Sequence, residues 1–129
     1  MQAPVKSGLD TIGQIALPVK DLDRATAFYR DALGMTFLFQ VPNMAFFDCD
    51  GVRLMLSLPE SPEEAGAASI LYFKVADIQA TCAAFKQQGV TFIADPHLVA
   101  EMEDHDLWMA FFKDSEANTL ALMSEISSS

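Results

Sequence analysis

The sequence predicts an α+β fold in which two β-α-β-β-β modules pair about a pseudo-two-fold axis into a cup-shaped mixed sheet, with the helices outside. The tetrapeptide MAFF occurs at residues 44–47 and again at 109–112. The same order of apolar segments and helix caps surrounds both copies, and a glycine follows each helix, Gly34 and then Gly89. One such module is a small sheet with one bare face, so we expect two of them to enclose a pocket.

The first module covers residues 10–57. It opens with a short apolar strand in IGQIALPV. Asp21 is then predicted to cap a helix with apolar residues at helical spacing, and Gly34 to end that helix. Three strands follow, in MTFLFQV, MAFFD and VRLMLSL, and Asp50-Gly51 predicts a hairpin turn between the last two.

The second module covers residues 69–126 and repeats this order. Residues 58–68 carry two prolines, a glycine and an acidic run, and are predicted to link the modules. A strand in SILYFKV precedes a helix that is capped by Asp77 and ended by Gly89, and strands in VTFIADP, LWMAFFKD and NTLALMSE follow. The second module is longer than the first, and the excess lies in HLVAEMEDHD. We expect residues 1–129 to form one domain.

Composition bounds the functions that this chain can have. The 129 residues are 51% hydrophobic, which is enough for a sizeable core, and the formal net charge of −10 argues against nucleic acid or an anionic membrane as partner. No stretch approaches the ~20 apolar residues of a membrane span, and the first residues lack the apolar region of a secretory signal. Cys49 and Cys82 have no metal-type spacing and are interpreted as reduced thiols of a cytoplasmic protein.

Two segments resemble one known family. These segments are IGQIALPVKDLDRATAFYRDALGM and MAFFKDSEANTLALMSE, and they resemble the vicinal oxygen chelate superfamily. That superfamily includes glyoxalase I, bleomycin-resistance proteins, extradiol dioxygenases and methylmalonyl-CoA epimerase. The resemblance extends over roughly residues 10 to 126 and implies the paired-module fold and a homodimer. It does not imply one reaction, because the family hosts many reactions and also pure binding proteins.

The resemblance also implies where a metal would bind. Metal-dependent members hold one divalent ion with four side chains on the first and last strands of each module, usually His or Gln, Glu, His and Glu. These positions fall here on Gln14, Met55, Ile70 and Ala121. Three of the four cannot ligate a hard or borderline metal, so the usual metal site is predicted to be absent and no cofactor is expected.

The family's last hairpin often reads D-P-D-G-N. Here residues 114–118 read DSEAN, so the glycine is replaced by alanine. We therefore expect altered turn geometry, with Asn118 as the residue at positive φ, because Asn tolerates that conformation better than most residues.

Strand alternation predicts which side chains share the inward face with the four ligand positions. The predicted inward residues are Gln14, Ala16, Arg53, Met55, Ser57, Ile70, Tyr72, Lys74, Thr119, Ala121 and Met123. Arg53 and Lys74 could meet a carboxylate or phosphate, or could lie at the rim in solvent. Trp108 could wall the pocket or belong to the core. The predicted ligand-binding set is Gln14, Arg53, Met55, Ile70, Lys74, Trp108, Ala121 and Met123.

Both histidines fall in the excess segment of the second module. His97 and Tyr72 are the candidate acid-base residues. If the segment is extended, His97, Glu101 and His105 share one parity, and together with Gln14 they form an alternative metal set. The neighbouring acidic residues are interpreted as solvated charges.

Three functions remain open at this point. The first hypothesis is a protein that binds a small organic molecule in an apolar cup, with metal-free isomerase or lyase chemistry if it is an enzyme. The second is a divalent-metal-dependent lyase, epimerase or dioxygenase that uses the non-standard metal set. The third is a non-catalytic structural or interaction module whose cup is filled by side chains.

Overall fold

The computed structural model describes residues 8–59 and 69–127, so most of the predicted linker lies outside the described residues. The first half comprises β1 (Gln14–Pro18), α1 (Leu22–Ala27), a π-helical turn (Phe28–Ala32), β2 (Thr36–Val41), β3 (Met44–Cys49) and β4 (Val52–Ser57). The second half comprises β5 (Leu71–Lys74), α2 (Ile78–Gln87), β6 (Thr91–Glu101), β7 (His105–Lys113) and β8 (Thr119–Ser127). The predicted element order is therefore confirmed in both halves.

Each half forms one four-stranded mixed sheet with the same topology. The strand orders are β1-β4-β3-β2 and β5-β8-β7-β6. In both sheets the first and last strands of the module pair in parallel, and the remaining pairs are antiparallel. The predicted fold class of two equivalent modules is confirmed.

Local sequence signals position the helices at the ends of the first strands. Asp21 accepts a hydrogen bond from the Arg24 N–H at 3.0 Å, and Asp77 accepts one from the Ala80 N–H at 3.0 Å. Both carboxylates therefore satisfy a free N–H of the first helical turn. Gly34 and Gly89 follow the two helices with φ of 73° and 88°, a conformation that favours glycine over any residue with a side chain.

The two MAFF segments show how the sheets divide their side chains between two faces. Ala45 and Phe47 of the first copy are buried in the core cluster, as are Ala110 and Phe112 of the second. Met and the first Phe of each copy point to the opposite face, because successive strand residues alternate. One continuous core contains residues of both halves, including the fully buried Tyr29. Among the described residues, no helix is long and apolar enough to cross a membrane.

The hairpin between β7 and β8 joins the second half to the first helix. Glu116, whose side chain is fully buried, accepts hydrogen bonds from the Lys20 and Asp21 N–H groups, each at 2.8 Å. It also accepts from Arg24 Nε at 2.7 Å and Nη2 at 3.1 Å. Burial by itself raises the pKa of Glu116, but hydrogen bonds, chiefly from Arg24, outweigh that effect and lower the pKa to about 2.

A second buried carboxylate lies beside the first. Asp114 accepts a 2.7 Å hydrogen bond from the hydroxyl of Tyr29 and further bonds from the N–H groups of Glu116 and Asn118. The Asn118 amide donates to Asp114 and to the carbonyl of Pro18, the last residue of β1. The DSEAN turn therefore holds the two halves together through buried, satisfied polar groups.

The prediction for this turn was wrong in one respect. Ala117, not Asn118, has positive φ, at 68°. Asn118 instead donates its backbone N–H to Asp114 and its side-chain amide to the carbonyl of Pro18, directly before β8 begins. The left-handed conformation consequently falls on the residue that replaces the family's glycine.

The excess segment of the second half lengthens two strands. β6 continues to Glu101 and β7 begins at His105, so the segment forms the far part of a long hairpin. The pairing of β6 with β7 shifts register at three places, between 92 and 94, between 94 and 97, and between 98 and 100. Each shift changes the face that later side chains occupy, which breaks the single parity expected for this segment.

Candidate functional site

The face of each sheet that points away from the shared core is called here the cup face. On the first cup face, Ala16, Met55, Phe46 and Phe39 lie side by side on the four strands in register. The rings of Phe39 and Phe46 stack with their centroids 4.5 Å apart. The guanidinium carbon of Arg53 lies 5.8 Å from the Phe46 centroid, which is cation–π range.

A cavity of about 410 Å³ opens on the same face beside Met55. The described residues that line it are Ala16, Pro18, Met44, Met55, Ser57, Leu58 and Pro59. Most of these residues are apolar, and the hydroxyl of Ser57 is the polar side-chain group among them. Polar atoms, including those of the backbone, make up almost half of the exposed lining, so the cavity offers both apolar contacts and hydrogen-bonding groups to a small molecule.

The second cup face carries a matching aromatic row. Tyr72, Ala121 and Phe111 are in register on β5, β8 and β7. Tyr72 and Phe111 make an edge contact at 6.0 Å, and His97 stacks on Phe111 at 6.3 Å. The two candidate acid-base residues, Tyr72 and His97, therefore contact the same phenyl ring.

Both candidate acid-base residues lie at the surface of the second cup face. His97 Nδ1 lies 2.8 Å from the carbonyl oxygen of Asp95, and both His97 and Tyr72 are exposed. A hydrogen bond to a carbonyl oxygen favours the tautomer with the proton on Nδ1, which leaves Nε2 as an acceptor.

The donor chemistry at the four family ligand positions does not fit a divalent metal. Gln14 offers one amide oxygen, Met55 offers a thioether, and Ile70 and Ala121 offer none. The amide nitrogen of Gln14 lies 3.8 Å from the sulfur of Met55. Ala121 is fully buried, in register between Tyr72 and Phe111.

The structure also separates the alternative metal set. Among residues 8–59 and 69–127, no three His, Cys, Asp or Glu side chains come close enough together to hold a metal ion. His105 Nδ1 lies 2.7 Å from Asp104, and its Nε2 lies 3.9 Å from Glu125, whereas His97 lies further along the hairpin opposite Met109. In this structure His97 lies opposite Met109 and Glu101 lies opposite Asp106, so these residues and His105 do not converge on one point.

Three further predicted ligand-binding residues have defined positions. Lys74 forms an ion pair with Glu125 at 3.5 Å. Met123 is half-buried and lies beside Lys74 in register. Trp108 packs against the core cluster, so it lies on the face opposite the cup and the core alternative applies.

The cavity beside Met55 differs from the prediction in one way. We expected both halves of the chain to line one pocket, but the described residues around this cavity belong to the first half and its link. Two smaller cavities, of about 220 and 270 Å³, do take residues from both halves, and core-side residues such as Phe112 and Leu54 line them. Ile70 and Tyr72 line the cavity of about 270 Å³ and are 41% and 46% exposed.

Several residues of this surface were not predicted from the sequence. Phe39, Phe46 and Phe111 were left as strand residues without a role, and Met44 was not placed in the pocket. Strand alternation within MAFF would have predicted the orientation of two of them. If Ala45 and Phe47 face the core, Met44 and Phe46 must face the other side.

Comparison with known proteins agrees with this architecture. The family model of the Glyoxalase/Bleomycin resistance protein/Dioxygenase superfamily matches residues 11–122. Among curated proteins, none matches the chain. A solved glyoxalase/bleomycin resistance protein/dioxygenase from Alicyclobacillus acidocaldarius is 22% identical with a TM-score of 0.71, covering 93% of this chain and 95% of that one.

Two other solved structures are similar. A lactoylglutathione lyase from Agrobacterium tumefaciens is 21% identical, with a TM-score of 0.73 and coverage of 91% of this chain and 95% of that one. An integron cassette protein from V. cholerae is 16% identical, with a TM-score of 0.76 and coverage of 93% and 98%. At these identities the likeness shows the fold alone.

The fold and the cup faces thus define a paired-module protein of the vicinal oxygen chelate type. The family match extends over most of the chain. The chain belongs to the Glyoxalase/Bleomycin resistance protein/Dioxygenase superfamily.

Proposed function

We propose that this protein binds a small organic molecule on its cup faces, without the divalent metal that many family members use. The cavity of about 410 Å³ carries this proposal, because its size and its mixture of apolar side chains and polar atoms suit a small organic molecule. The side chains of Gln14, Met55, Ile70 and Ala121 support binding without a metal, because they offer too few donor atoms for a divalent ion.

The functional unit in this proposal is a homodimer. The first cup face has a cavity lined from one half, and Ile70 and Tyr72 on the second cup face are half-exposed apolar or aromatic side chains. Exposed apolar surface of this kind is typical of an interface or a binding site. The second cup face of one copy would cover the first cup face of its partner, so each site would take residues from both chains. The predicted cytoplasmic location stays a prediction.

Binding can be tested by filling the cavity. Ala16 is exposed and lines the cavity, so Ala16→Phe should occupy the space without entering the core. Ala83→Phe, on the exposed side of α2, is the matched control. A thermal-shift screen of small organic molecules, run on chelator-treated protein, should find ligands that stabilise the wild type and Ala83→Phe but not Ala16→Phe. Ligands that stabilise all three proteins equally would contradict the proposed site.

Metal content and assembly are measured separately. Inductively coupled plasma mass spectrometry on protein purified without chelators or a histidine tag should find metal well below one ion per chain. Near-stoichiometric metal would overturn the metal-free part of the proposal. Light scattering coupled to size exclusion should give twice the chain mass of 14.1 kDa, and a monomer at all concentrations would overturn the shared site.

Metal-free proton transfer is a second candidate function. The contact of His97 and Tyr72 with one phenyl ring, Phe111, favours it, because acid and base groups would then face the same ligand. If it is correct, His97→Gln and Tyr72→Phe should remove turnover of a ligand found in the screen while its Kd stays within about twofold. A loss of affinity with no turnover in the wild type would make these residues ligand contacts only.

A further inference from the structure

The first cup face presents aromatic rings beside a cavity. Phe39 is 44% exposed and stacks on Phe46, which is itself buried at 8% exposure. Exposed phenyl rings are costly in water unless a partner covers them. A planar ring can continue such a stack, because offset stacking places further rings at the same spacing.

One cation lies next to this stack. The guanidinium of Arg53 lies over the ring of Phe46, and no described carboxylate is within 4.0 Å of its nitrogens. The neighbouring strand residue Asp48 directs one oxygen to the Gly51 N–H, at 3.2 Å, and not to Arg53. A guanidinium near a ring can still bind a carboxylate through two hydrogen bonds from its N–H groups.

The spacing of these groups fits one elongated ligand. Arg53 and Met55 are two residues apart on β4 and point to the same face, so their side chains start about 7 Å apart. Met55 borders the cavity and is in register with Phe46. A fused aromatic ring of similar length could therefore lie over Met55 and extend towards the exposed Phe39, with its anionic end at Arg53.

The charge around Arg53 favours a single negative charge. Asp48 is next to it in register, and the whole chain has a formal net charge of −10. Asp48 and the negative net charge would repel a dianion, such as a phosphate monoester, more strongly than a monoanion. The single charge of a carboxylate can be neutralised by the guanidinium of Arg53 alone. On the second cup face, Lys74 already forms an ion pair with Glu125, and Lys113 donates hydrogen bonds to Thr119 and to the carbonyl of Ala117.

We propose that the ligand of this site is a planar aromatic carboxylate, whose ring packs on Phe39 and Met55 and whose carboxylate binds Arg53. This inference rests on the proposed small-molecule site and names the class of molecule that it takes.

Four probes that differ in one feature each test the inference by isothermal titration calorimetry. They are 2-naphthoate, 2-naphthalenemethanol, decalin-2-carboxylate and 2-naphthyl phosphate. We expect 2-naphthoate to bind the wild type at least about tenfold more tightly than the alcohol, because a charge-assisted pair is worth more than a neutral hydrogen bond. We expect it to bind at least about threefold more tightly than the saturated carboxylate, because stacking is lost there.

Two variants separate charge from stacking. Arg53→Met keeps an apolar stem on Phe46, and should bring 2-naphthoate and the alcohol to within about twofold of each other. Phe39→Leu, at an exposed position, should reduce the preference for the aromatic over the saturated carboxylate. Arg30→Met is the matched control, because Arg30 is exposed on the helical side and paired with Asp31. It should leave all four affinities unchanged.

The outcomes keep the two proposals distinguishable. Failure of 2-naphthoate to bind, tightest binding of the phosphate, or binding that is insensitive to Arg53→Met would each overturn the inference. If other molecules from the screen still bind in a way that Ala16→Phe abolishes, the proposed function stands. If neither the probes nor the screen give a ligand that is sensitive to Ala16→Phe, both proposals are wrong.

Discussion

Glutamine at position 116 would test the buried contact between the two halves. Glu116→Gln keeps the side-chain size but removes the charge and replaces one acceptor oxygen by an NH₂ group. That group would face the N–H donors of Lys20 and Asp21 or the guanidinium of Arg24. The contact would then lose an ion pair and at least one hydrogen bond in a buried place.

The magnitude follows from the pKa of Glu116. A fall from 4.5 to about 2 in the folded state corresponds to about 3 kcal/mol at 1.36 kcal/mol per pKa unit. Arg24 is half exposed, so solvent screens part of this interaction, and we expect a loss of about 2 kcal/mol at pH 7. Because the folded pKa is lowered, the stabilisation is present above about pH 4.5 and disappears as the pH falls towards 2.

Urea unfolding at pH 7 and at pH 3 measures this effect. With an m-value of about 2 kcal/mol/M, the midpoint of Glu116→Gln should lie about 1 M below that of the wild type at pH 7. The difference in the free energy of unfolding should shrink at pH 3. Glu103→Gln, at an exposed position in the hairpin, is the matched control and should change the midpoint little. A loss below about 0.5 kcal/mol at pH 7, or an equal loss at both pH values, would refute the reasoning.

Three further changes test other local features by chemical denaturation. Tyr29→Phe removes the buried 2.7 Å hydrogen bond to Asp114 and should cost about 1–3 kcal/mol, and a loss under about 0.3 kcal/mol would contradict a role for this bond. Ala117→Gly should stabilise the protein by about 0.5–1 kcal/mol by relieving the positive φ of 68°, whereas the same change at helical Ala83 should destabilise it. Asp77→Ala should cost about 1 kcal/mol by removing the cap of α2, and an unchanged midpoint would show that the cap contributes nothing.

Element order was predictable because its signals are local. Asp21 and Asp77 act on N–H groups three residues away, and Gly34 and Gly89 are required by their own backbone angles. The repeated MAFF segment then indicated that the same pattern occurs twice. Helix caps and turn glycines depend only on nearby residues, so they can be predicted from a single sequence.

The polar junction between the halves was not predictable in the same way. Asp114 and Glu116 were interpreted only as part of a turn, yet their partners Tyr29 and Arg24 lie about ninety residues earlier in the chain. Burial of a carboxylate depends on packing between elements that are distant in the sequence, so it cannot be predicted from the neighbouring residues. The register shifts of β6 have the same character, because they depend on how the strand pairs with β7.

The contact of Glu116 with the start of α1 also bears on how the two halves could be exchanged. The second helix has its own aspartate cap, whereas the first helix receives additional hydrogen bonds from the other half of the chain. The pseudo-symmetry of the strands is therefore not matched by symmetry of stabilisation. A first half expressed by itself would begin its helix without a buried acceptor, while a circular permutation that opened the segment between the halves would keep every one of these bonds. The duplicated halves have become complementary parts that are no longer interchangeable.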